Sequence, residues 1–280
     1  MLRGSTELVA IIGSPIAQVK SPENFNAWFA ANGKDLAMLA IDMQAASLPA
    51  FLAGMRGWQN LRGCVVTVPY KQQLAAHLDG ISERAQALCS VNVIRREADG
   101  RLLGDNVDGA GFLNAARGHG FQPEGKRALV IGSGGVGSAI AYALCEAGVS
   151  QLSLADVSID RAEALANLLG KHFPGCRIDT HNSSLAGLDL LVNASPVGMG
   201  GTGELPLDAA LLDSLQANTL VADVVTSPAI TPLLEAAQAR GCTVQTGPEM
   251  AYAQVGNLGH FMGVTPLQIS AAPKPHGAAQ

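Results

Sequence analysis

A glycine-rich turn near the middle of the chain has the residue types and spacing that bind a dinucleotide. Gly132, Gly134 and Gly137 follow a short aliphatic run and precede an alanine-rich segment. In this Gly-x-Gly-x-x-Gly spacing the first glycine permits a tight turn, the second lets the backbone approach a pyrophosphate, and the third allows close helix packing. The start of the following helix offers free amide donors to phosphates. The other predicted contacts of the turn are Ser133, Gly135 and Val136.

An acidic residue at the end of the next predicted strand indicates which dinucleotide would bind. Asp156 lies 19 residues beyond Gly137, where a carboxylate can accept hydrogen bonds from the ribose hydroxyls of NAD. The same charge would repel the 2′-phosphate of NADP, by about 4 kcal/mol for a close charge pair at an effective dielectric constant of about 20. Arg161 is the nearest cation, and we expect it to be solvated on the surface of a helix. The sequence therefore predicts NAD as the cofactor and disfavours NADP.

A lysine and an aspartate at two other strand ends have the chemistry to move a proton. Lys71 follows an apolar strand and a proline, and Asp108 follows a predicted hairpin. Hydride transfer to a carbonyl creates an alkoxide that needs a proton, and an ammonium held beside a carboxylate can deliver it. From these residues alone, a surface lysine at a helix start and a helix N-cap aspartate are favoured over catalysis.

The composition limits the classes of protein to which these residues can belong. A chain of 280 residues with 48% hydrophobic and 15% charged residues suits an enzyme of one large or two ordinary domains. The net charge of −5 and the absence of a basic run argue against nucleic acid and anionic membranes as partners. The five cysteines have no zinc-ligand spacing, so we expect no metal site and a reducing, cytoplasmic location. No apolar stretch approaches the roughly 20 residues of a membrane span.

Short aliphatic runs alternate with helical patterns along the chain, which is typical of an α/β protein with a mainly parallel sheet. The predicted strands are residues 8–12, 36–41, 64–68, 127–132, 152–156, 188–193, 220–225 and 243–245. A hairpin is expected from 91–95 and 101–104, turning on Asp99-Gly100. The predicted helices include one capped by Ser21 before Pro22, one around 48–55, one over 160–169 capped by Ser158, and one over 249–261. The segment beyond 269 is interpreted as a disordered tail.

Several ordered strings outside the glycine turn resemble the shikimate dehydrogenase family, over nearly all of the chain from residue 9 to about 263. The strings are Gly13-Ser14-Pro15-Ile16, Lys20-Ser21-Pro22, Thr67-Val68-Pro69-Tyr70-Lys71, Val91-Asn92, Gly104-Asp105-Asn106-Val107-Asp108-Gly109 and Asn193-Ala194-Ser195-Pro196, with Gly247, Met250 and Gln254. The resemblance implies a Rossmann dinucleotide-binding domain, over 109–246, inserted into a smaller α/β substrate-binding domain. That smaller domain would comprise 1–108 and the returning segment 247–280.

The resemblance also implies roles for individual residues. Lys71 and Asp108 would be the catalytic pair, which reverses the preference reached from the residues alone. The implied substrate-binding residues are Ser21, Val19, Thr67, Asn92, Thr226 and Gln254. The implied cofactor-binding residues beyond the glycine turn and Asp156 are Asn193, Val225, Gly247 and Met250.

Three departures from the family pattern affect the expected substrate and cofactor. Val19 stands where the family usually has a first serine that binds the substrate carboxylate, and Thr226 stands where a tyrosine is frequent. Asp156-Val157-Ser158 does not match the Asn-Arg-Thr-like stretch that binds the NADP phosphate in typical members.

We therefore expect an NAD-dependent oxidoreductase that interconverts a 3-dehydroshikimate-like ketone and a shikimate-like alcohol, and that acts weakly on shikimate itself. The expected partner is a small cyclic hydroxy-acid, and assembly into a homodimer is left open. The alternatives are a biosynthetic NADP-dependent shikimate dehydrogenase, a quinate dehydrogenase and a non-catalytic dinucleotide-binding protein.

Overall fold

A computed structural model describes residues 2–180 and 184–269, and within them the strands form two six-stranded sheets. The strands are β1 (Glu7–Gly13), β2 (Leu36–Asp42), β3 (Leu61–Val66), β4 (Gly80–Ile81), β5 (Val93–Arg96), β6 (Leu102–Asp105), β7 (Arg127–Ile131), β8 (Gln151–Ala155), β9 (Arg177–Asp179), β10 (Leu190–Asn193), β11 (Leu220–Asp223) and β12 (Thr243–Gln245). The α-helices are α1 (Ser21–Ala31), α2 (Leu48–Gly57), α3 (Glu83–Ala87), α4 (Asp108–Gly118), α5 (Gly135–Glu146), α6 (Ile159–His172), α7 (Pro232–Gln238) and α8 (Gly247–Phe261). The predicted α/β class is confirmed.

The first sheet has the order β2-β1-β3-β5-β6-β4 and mixes parallel with antiparallel pairs. β1 pairs parallel with β2 and β3, whereas β5 pairs antiparallel with β3 and β6. The hairpin predicted around Asp99-Gly100 is confirmed, and Gly100 adopts a φ of 86°, a left-handed conformation that glycine tolerates well. The sheet therefore places the start of β5 beside the carboxyl ends of β3 and β6.

The second sheet has the order β12-β11-β10-β7-β8-β9, and all its pairs are parallel. β7 comes first in the chain and lies in the middle. β8 and β9 follow on one side of β7, and β10, β11 and β12 follow on its other side. This is the strand order of dinucleotide-binding Rossmann domains, in which ligands bind where the order reverses, here beside β7 and β10.

Both sheets are buried on both faces, which explains why their strands read as continuous apolar runs. On β1, Val9 and Ile11 face one core of the first sheet. Their neighbours Ala10 and Ile12 face the other core. Because side chains alternate across a strand, a strand between two cores needs apolar residues at every position.

α8 connects the two sheets. Its residue Met250 belongs to the core of the second sheet. Further along the helix, Val255 and Leu258 lie in the core of the first sheet beside Phe25 of α1. The predicted domain limits (1–108, 109–246 and 247–280) stay a prediction, and the predicted disordered tail lies outside the described residues.

Several short elements were not predicted, because they are too short or too rich in glycine to show a period. α3 has five residues, β4 two and β9 three. α4 is longer, but it contains three glycines, which lower helix propensity. Two predicted caps are wrong in detail. Ser21 is the first residue of α1, after Lys20, and the Ser158 hydroxyl makes no capping hydrogen bond, although Ser158 precedes α6.

No helix in the described part of the chain has both the length and the apolar character to cross a membrane.

Candidate functional site

Lys71 and Asp108 form an ion pair at the edge where β3 and β6 end. The Lys71 Nζ donates to the Asp108 Oδ2 at 2.5 Å. Lys71 lies in the turn after β3, and its carbonyl accepts the Val91 N–H at 2.8 Å. The side chains of Lys71 and Asp108 are 17% and 6% exposed, so the alternative of a surface lysine is wrong. Asp108 is the first residue of α4 rather than its N-cap.

Two amide side chains hold the other oxygen of Asp108. The Asn92 Nδ2 donates to Oδ1 at 2.7 Å, and the Gln254 Nε2 donates to it at 3.1 Å. Asn92 is fixed in turn, because its Oδ1 accepts the Val107 N–H at 2.9 Å. The structure thus brings together four of the predicted residues, from the turn after β3, the position before β5, α4 and α8.

This arrangement leaves the lysine ammonium able to act on a bound molecule. A protonated lysine has three N–H donors, and Asp108 takes one of them. The Asp108 carboxylate, held by Asn92 and Gln254, fixes the direction of the ammonium. A carbonyl oxygen placed beside Lys71 would therefore meet a preorganised hydrogen-bond donor that can also transfer its proton.

The remaining predicted substrate residues take no part in these hydrogen bonds in the described part of the chain. Ser21 and Thr67 are half-buried, and Thr226 is exposed after β11. Within residues 2–180 and 184–269, none of these three hydroxyls makes a hydrogen bond, so all are available to a ligand. Val19 is half-buried and packs against the apolar core of the first sheet.

The polar neighbours of Val19 are already engaged. The exposed Lys20 ammonium lies 3.4 Å from a carboxylate oxygen of Glu23. The Gln18 Nε2 donates to the Pro15 carbonyl at 2.8 Å. In this structure each of the two side chains thus contacts a neighbour within its own segment.

The glycine turn has the geometry that its spacing predicts. Gly132 has a φ of 103° between β7 and α5. A Cβ on Gly137 would lie 1.8 Å from the Gly132 carbonyl oxygen, so the third glycine is required for the close approach. A Cβ on Gly134 or Gly135 would meet nothing within 4 Å, so the start of α5 faces open space. This surface fits a dinucleotide pyrophosphate.

Asp156 lies beside the turn, but its surroundings differ from the prediction. Its Oδ2 accepts the Ser133 N–H at 2.7 Å, and its Oδ1 accepts the Ser158 N–H at 2.9 Å and the Arg161 Nη2 at 2.6 Å. Arg161 is exposed on α6 as expected, at 58%, and it is also ion-paired with Asp156, which was not expected. Burial raises the pKa of the Asp156 carboxyl, but the Ser158 and Ser133 amides and the Arg161 guanidinium lower it overall.

A cleft of about 450 Å³ opens at the carboxyl ends of β7, β8 and β10. Its lining residues include Gly132, Gly134, Asp156, Val157, Arg161, Pro206 and residues 194–197. The side chain of Val157 is fully exposed there. The cleft thus combines an acid, an apolar wall and the amide donors of the glycine turn, as a nucleoside diphosphate moiety requires.

Asn193 supports this cleft rather than facing it. The side chain is fully buried, and its Nδ2 donates to the Val197 carbonyl and to the Asp223 Oδ2, both at 3.0 Å. Asp223 also accepts the Thr231 hydroxyl at 2.7 Å and was not singled out from the sequence. Burial raises the pKa of the Asp223 carboxyl, and its donors only partly oppose this. Asp223 could have been noticed in the sequence, because it is an acidic residue at the end of a buried strand.

Val225, Gly247 and Met250 meet where β11 leads into its loop and α8 begins. A Cβ on Gly247 would lie 2.1 Å from the Val225 carbonyl oxygen, so only glycine allows this contact. Val225 and Met250 are buried, at 1% and 4% exposure. No cluster of three or more potential metal ligands is found within residues 2–180 and 184–269.

Two family models match the chain. Residues 11–94 match the shikimate dehydrogenase substrate binding domain, and residues 115–197 match shikimate / quinate 5-dehydrogenase. A shikimate dehydrogenase (NADP(+)) from Moorella thermoacetica is 38% identical over 256 residues, which are 89% of this chain and 85% of the relative. Another from Rubrobacter xylanophilus is 39% identical over 253 residues, 88% of this chain and 87% of the relative.

Solved structures have the same architecture. Shikimate 5-dehydrogenase from Listeria monocytogenes, in complex with shikimate and NAD, has a TM-score of 0.87 at 29% identity and covers 95% of this chain and 94% of its own. Quinate dehydrogenase from Corynebacterium glutamicum, in complex with NAD, has a TM-score of 0.81 at 31% identity, with 93% and 95% covered. A 5-ketofructose reductase from Gluconobacter has a TM-score of 0.84 at 28% identity, with 94% and 95% covered. The chain therefore belongs to the shikimate dehydrogenase family, whose members are NAD(P)-dependent oxidoreductases built from a Rossmann domain and an N-terminal substrate-binding domain.

Proposed function

We propose that the protein is an NAD-preferring dehydrogenase that interconverts a ring ketone resembling 3-dehydroshikimate and the corresponding alcohol. The observation that carries the proposal is the ion pair of Lys71 and Asp108, which lies at the edge of the first sheet and is held by Asn92 and Gln254. A protein that only binds a dinucleotide has no need of a partly exposed ammonium fixed in this way.

In the proposed reaction Lys71 handles the proton. The bound dinucleotide supplies or accepts the hydride. During reduction, the Lys71 ammonium would hydrogen-bond the substrate carbonyl oxygen and transfer a proton to it as negative charge develops. Lys71 would regain a proton through its 17% exposed surface. In oxidation the proton moves the other way, from the alcohol to a neutral Lys71.

Asp108 has the role of holding that ammonium in place, and Asn92 and Gln254 hold Asp108. Positioning of reacting groups accounts for a large part of enzymatic rate enhancement. The free hydroxyls of Thr67 and Ser21 are suited to bind hydroxyls or an acid group of the ring.

The preference for NAD rests on Asp156 and Val157. The Asp156 carboxylate can accept hydrogen bonds from ribose hydroxyls and repels a 2′-phosphate. Val157 offers an apolar, uncharged surface beside it. Arg161, the cation that could attract a phosphate, is neutralised by Asp156 at 2.6 Å. NAD is present in the complexes of the Listeria and Corynebacterium relatives, whereas the Moorella and Rubrobacter relatives are named for NADP, which is the alternative.

The expected low activity on shikimate follows from the part of the site that would bind the substrate carboxylate. Val19 presents methyl groups instead of a hydroxyl, and Lys20 and Gln18 are bonded elsewhere. Thr226 is shorter than a tyrosine. The structural neighbour named as a 5-ketofructose reductase supports a substrate range of this fold that is wider than shikimate.

The proposed chemistry is tested with Lys71→Ala and Asp108→Asn, assayed with NAD and both shikimate and quinate. We expect each substitution to reduce kcat by roughly 10²-fold or more, since general acid–base groups contribute about 10² to 10⁴. The Kd for NAD should change little, because neither residue lines the dinucleotide cleft. Lys34→Ala removes an exposed lysine and serves as the control.

Near-native turnover in both variants would exclude the assigned chemistry. NAD binding by the native protein without turnover on any cyclic hydroxy-acid would favour the non-catalytic alternative.

A further inference from the structure

We propose that Arg84 is a positioning residue for the Asp108 carboxylate and acts through Asp105. The inference rests on the proposed roles of Lys71 and Asp108. Arg84 lies on α3 and is ion-paired with Asp105, and in the described part of the chain no hydrogen bond or ion pair joins it to Lys71 or Asp108. Its influence would pass along a continuous series of hydrogen bonds.

The first step joins Arg84 to Asp105, the last residue of β6. The Arg84 Nε donates to Oδ1 at 2.8 Å and its Nη2 donates to Oδ2 at 2.5 Å, a two-point contact that fixes the carboxylate plane. The Ser82 hydroxyl also donates to Asp105. The Asp105 side chain is only 6% exposed, so its charge depends on Arg84 for compensation.

The second step joins Asp105 to the segment that enters α4. The Asn106 N–H donates to the Asp105 Oδ1 at 2.7 Å, and the Asp108 N–H donates to the Asn106 Oδ1 at 3.2 Å. The direction of the Asp105 carboxylate thus sets the turn of the chain from β6 into Asp108.

The third step runs through Asn92. The Asn92 N–H donates to the Asp105 carbonyl at 2.9 Å, and the Asn92 side chain donates to the Asp108 Oδ1 at 2.7 Å. Asp105 is therefore tied to Asp108 along two routes, one through Asn106 and one through Asn92. A displacement of Asp105 would change both the backbone and the side-chain contacts of Asp108.

A change in Arg84 should therefore affect turnover more than binding. Misplacement of a catalytic group by about 1 Å can reduce a rate by about 10²-fold. The dinucleotide cleft shares none of the residues in these hydrogen bonds, so NAD binding should be preserved.

A second arginine–aspartate pair that contacts β6 provides a matched control. Arg56 pairs with Asp79, and Asp79 also accepts a backbone N–H of β6, that of Leu102 at 2.7 Å. This second arginine–aspartate pair is more exposed, at 38% and 33%, and within residues 2–180 and 184–269 no hydrogen bond joins either side chain to Asp108 or Asn92. Arg56→Ala thus removes an arginine–aspartate ion pair that also contacts β6, without removing any hydrogen bond to Asp108.

The experiment compares Arg84→Ala, Arg84→Lys and Arg56→Ala with the native protein, using shikimate and NAD as probes. For Arg84→Ala we expect kcat to fall by about 10- to 100-fold, with the Kd for NAD and the KM for shikimate changing by less than about threefold. Arg84→Lys keeps the charge but not the two-point contact, so it should recover part of the loss. Arg56→Ala should keep kcat within about twofold.

Turnover of Arg84→Ala equal to that of Arg56→Ala would overturn the inference. If Arg84→Ala fails to fold, Arg84→Lys decides, because native kcat in that variant would show that the two-point contact has no effect on Asp108. A parallel assay of Lys71→Ala separates the two proposals. Loss of activity there with an unaffected Arg84→Ala contradicts the positioning role alone, whereas retained activity in Lys71→Ala contradicts the proposed function.

Discussion

Asp156 is the residue on which the cofactor preference depends. Asp156 lines the dinucleotide cleft, and its ion pair with Arg161 engages the nearest cation that could attract a phosphate. We predict that the native protein uses NAD with at least roughly tenfold higher kcat/KM than NADP, which corresponds to about 1.4 kcal/mol. Asp156→Ala should narrow that gap, because it removes the repulsion and frees Arg161. Steady-state kinetics with both cofactors measures the effect.

Arg161→Ala is the matched control for this prediction. It removes the cation but keeps the acid, so it should not improve the use of NADP. A native preference for NADP would contradict the assignment.

Val19 is the residue on which the response to shikimate depends. A hydroxyl bound to a carboxylate contributes about 1.5 to 3 kcal/mol, or about 10- to 100-fold in affinity. We predict that Val19→Ser lowers the KM for shikimate by roughly tenfold or more. Ala17→Ser, at an exposed position of the same segment, should have no such effect. Efficient oxidation of shikimate by the native protein would refute the idea, and so would a Val19→Ser variant with unchanged KM.

The contact between α4 and α5 depends on the absence of a side chain at Gly109. A Cβ there would lie 2.0 Å from the Ala139 carbonyl oxygen and 2.6 Å from the Ala143 Cβ. We predict that Gly109→Ala lowers the free energy of unfolding by about 1 to 3 kcal/mol, because overfilling a packed interface forces the helices apart. Urea denaturation measures this change.

Gly118, in the last turn of α4, provides the opposite case on the same helix. A Cβ there would meet nothing within 4 Å. Gly118→Ala should therefore raise the free energy of unfolding by roughly 0.5 to 1 kcal/mol, through higher helix propensity alone. Equal effects of the two substitutions would show that α4 and α5 do not pack as described.

The elements that could be predicted from the sequence are those with a strong local pattern. Continuous apolar runs identified the longer strands of both sheets, and Asp99-Gly100 identified the β5–β6 turn. α4 could not be identified in this way, since its glycines serve the contact with α5 rather than helix propensity. α3, β4 and β9 were too short for a period to appear. These elements form because of tertiary packing and not because of a local sequence pattern.

At the scale of the whole molecule, the residues of the candidate site could be predicted only in part from the chain itself. The glycine turn and Asp156 are close in sequence, and the physics of phosphate binding relates them. Gln254, by contrast, is 146 residues from Asp108, and only the family resemblance suggested that the two belong to one site. The pairing of Arg161 with Asp156 was not anticipated, because a side chain five residues away has a choice of partners that sequence spacing does not determine.

The late position of α8 has a consequence for the order in which the protein acquires its properties during synthesis. The glycine turn and every strand of the dinucleotide-binding sheet leave the ribosome before α8 does. The carboxylate of Asp108 is made early, but its third donor, Gln254, follows 146 residues later. At about 5 to 20 residues per second, that interval is on the order of 10 s. In a nascent chain Asp108 thus lacks one of its three donors until α8 has been synthesised, and α8 is the element that completes these contacts.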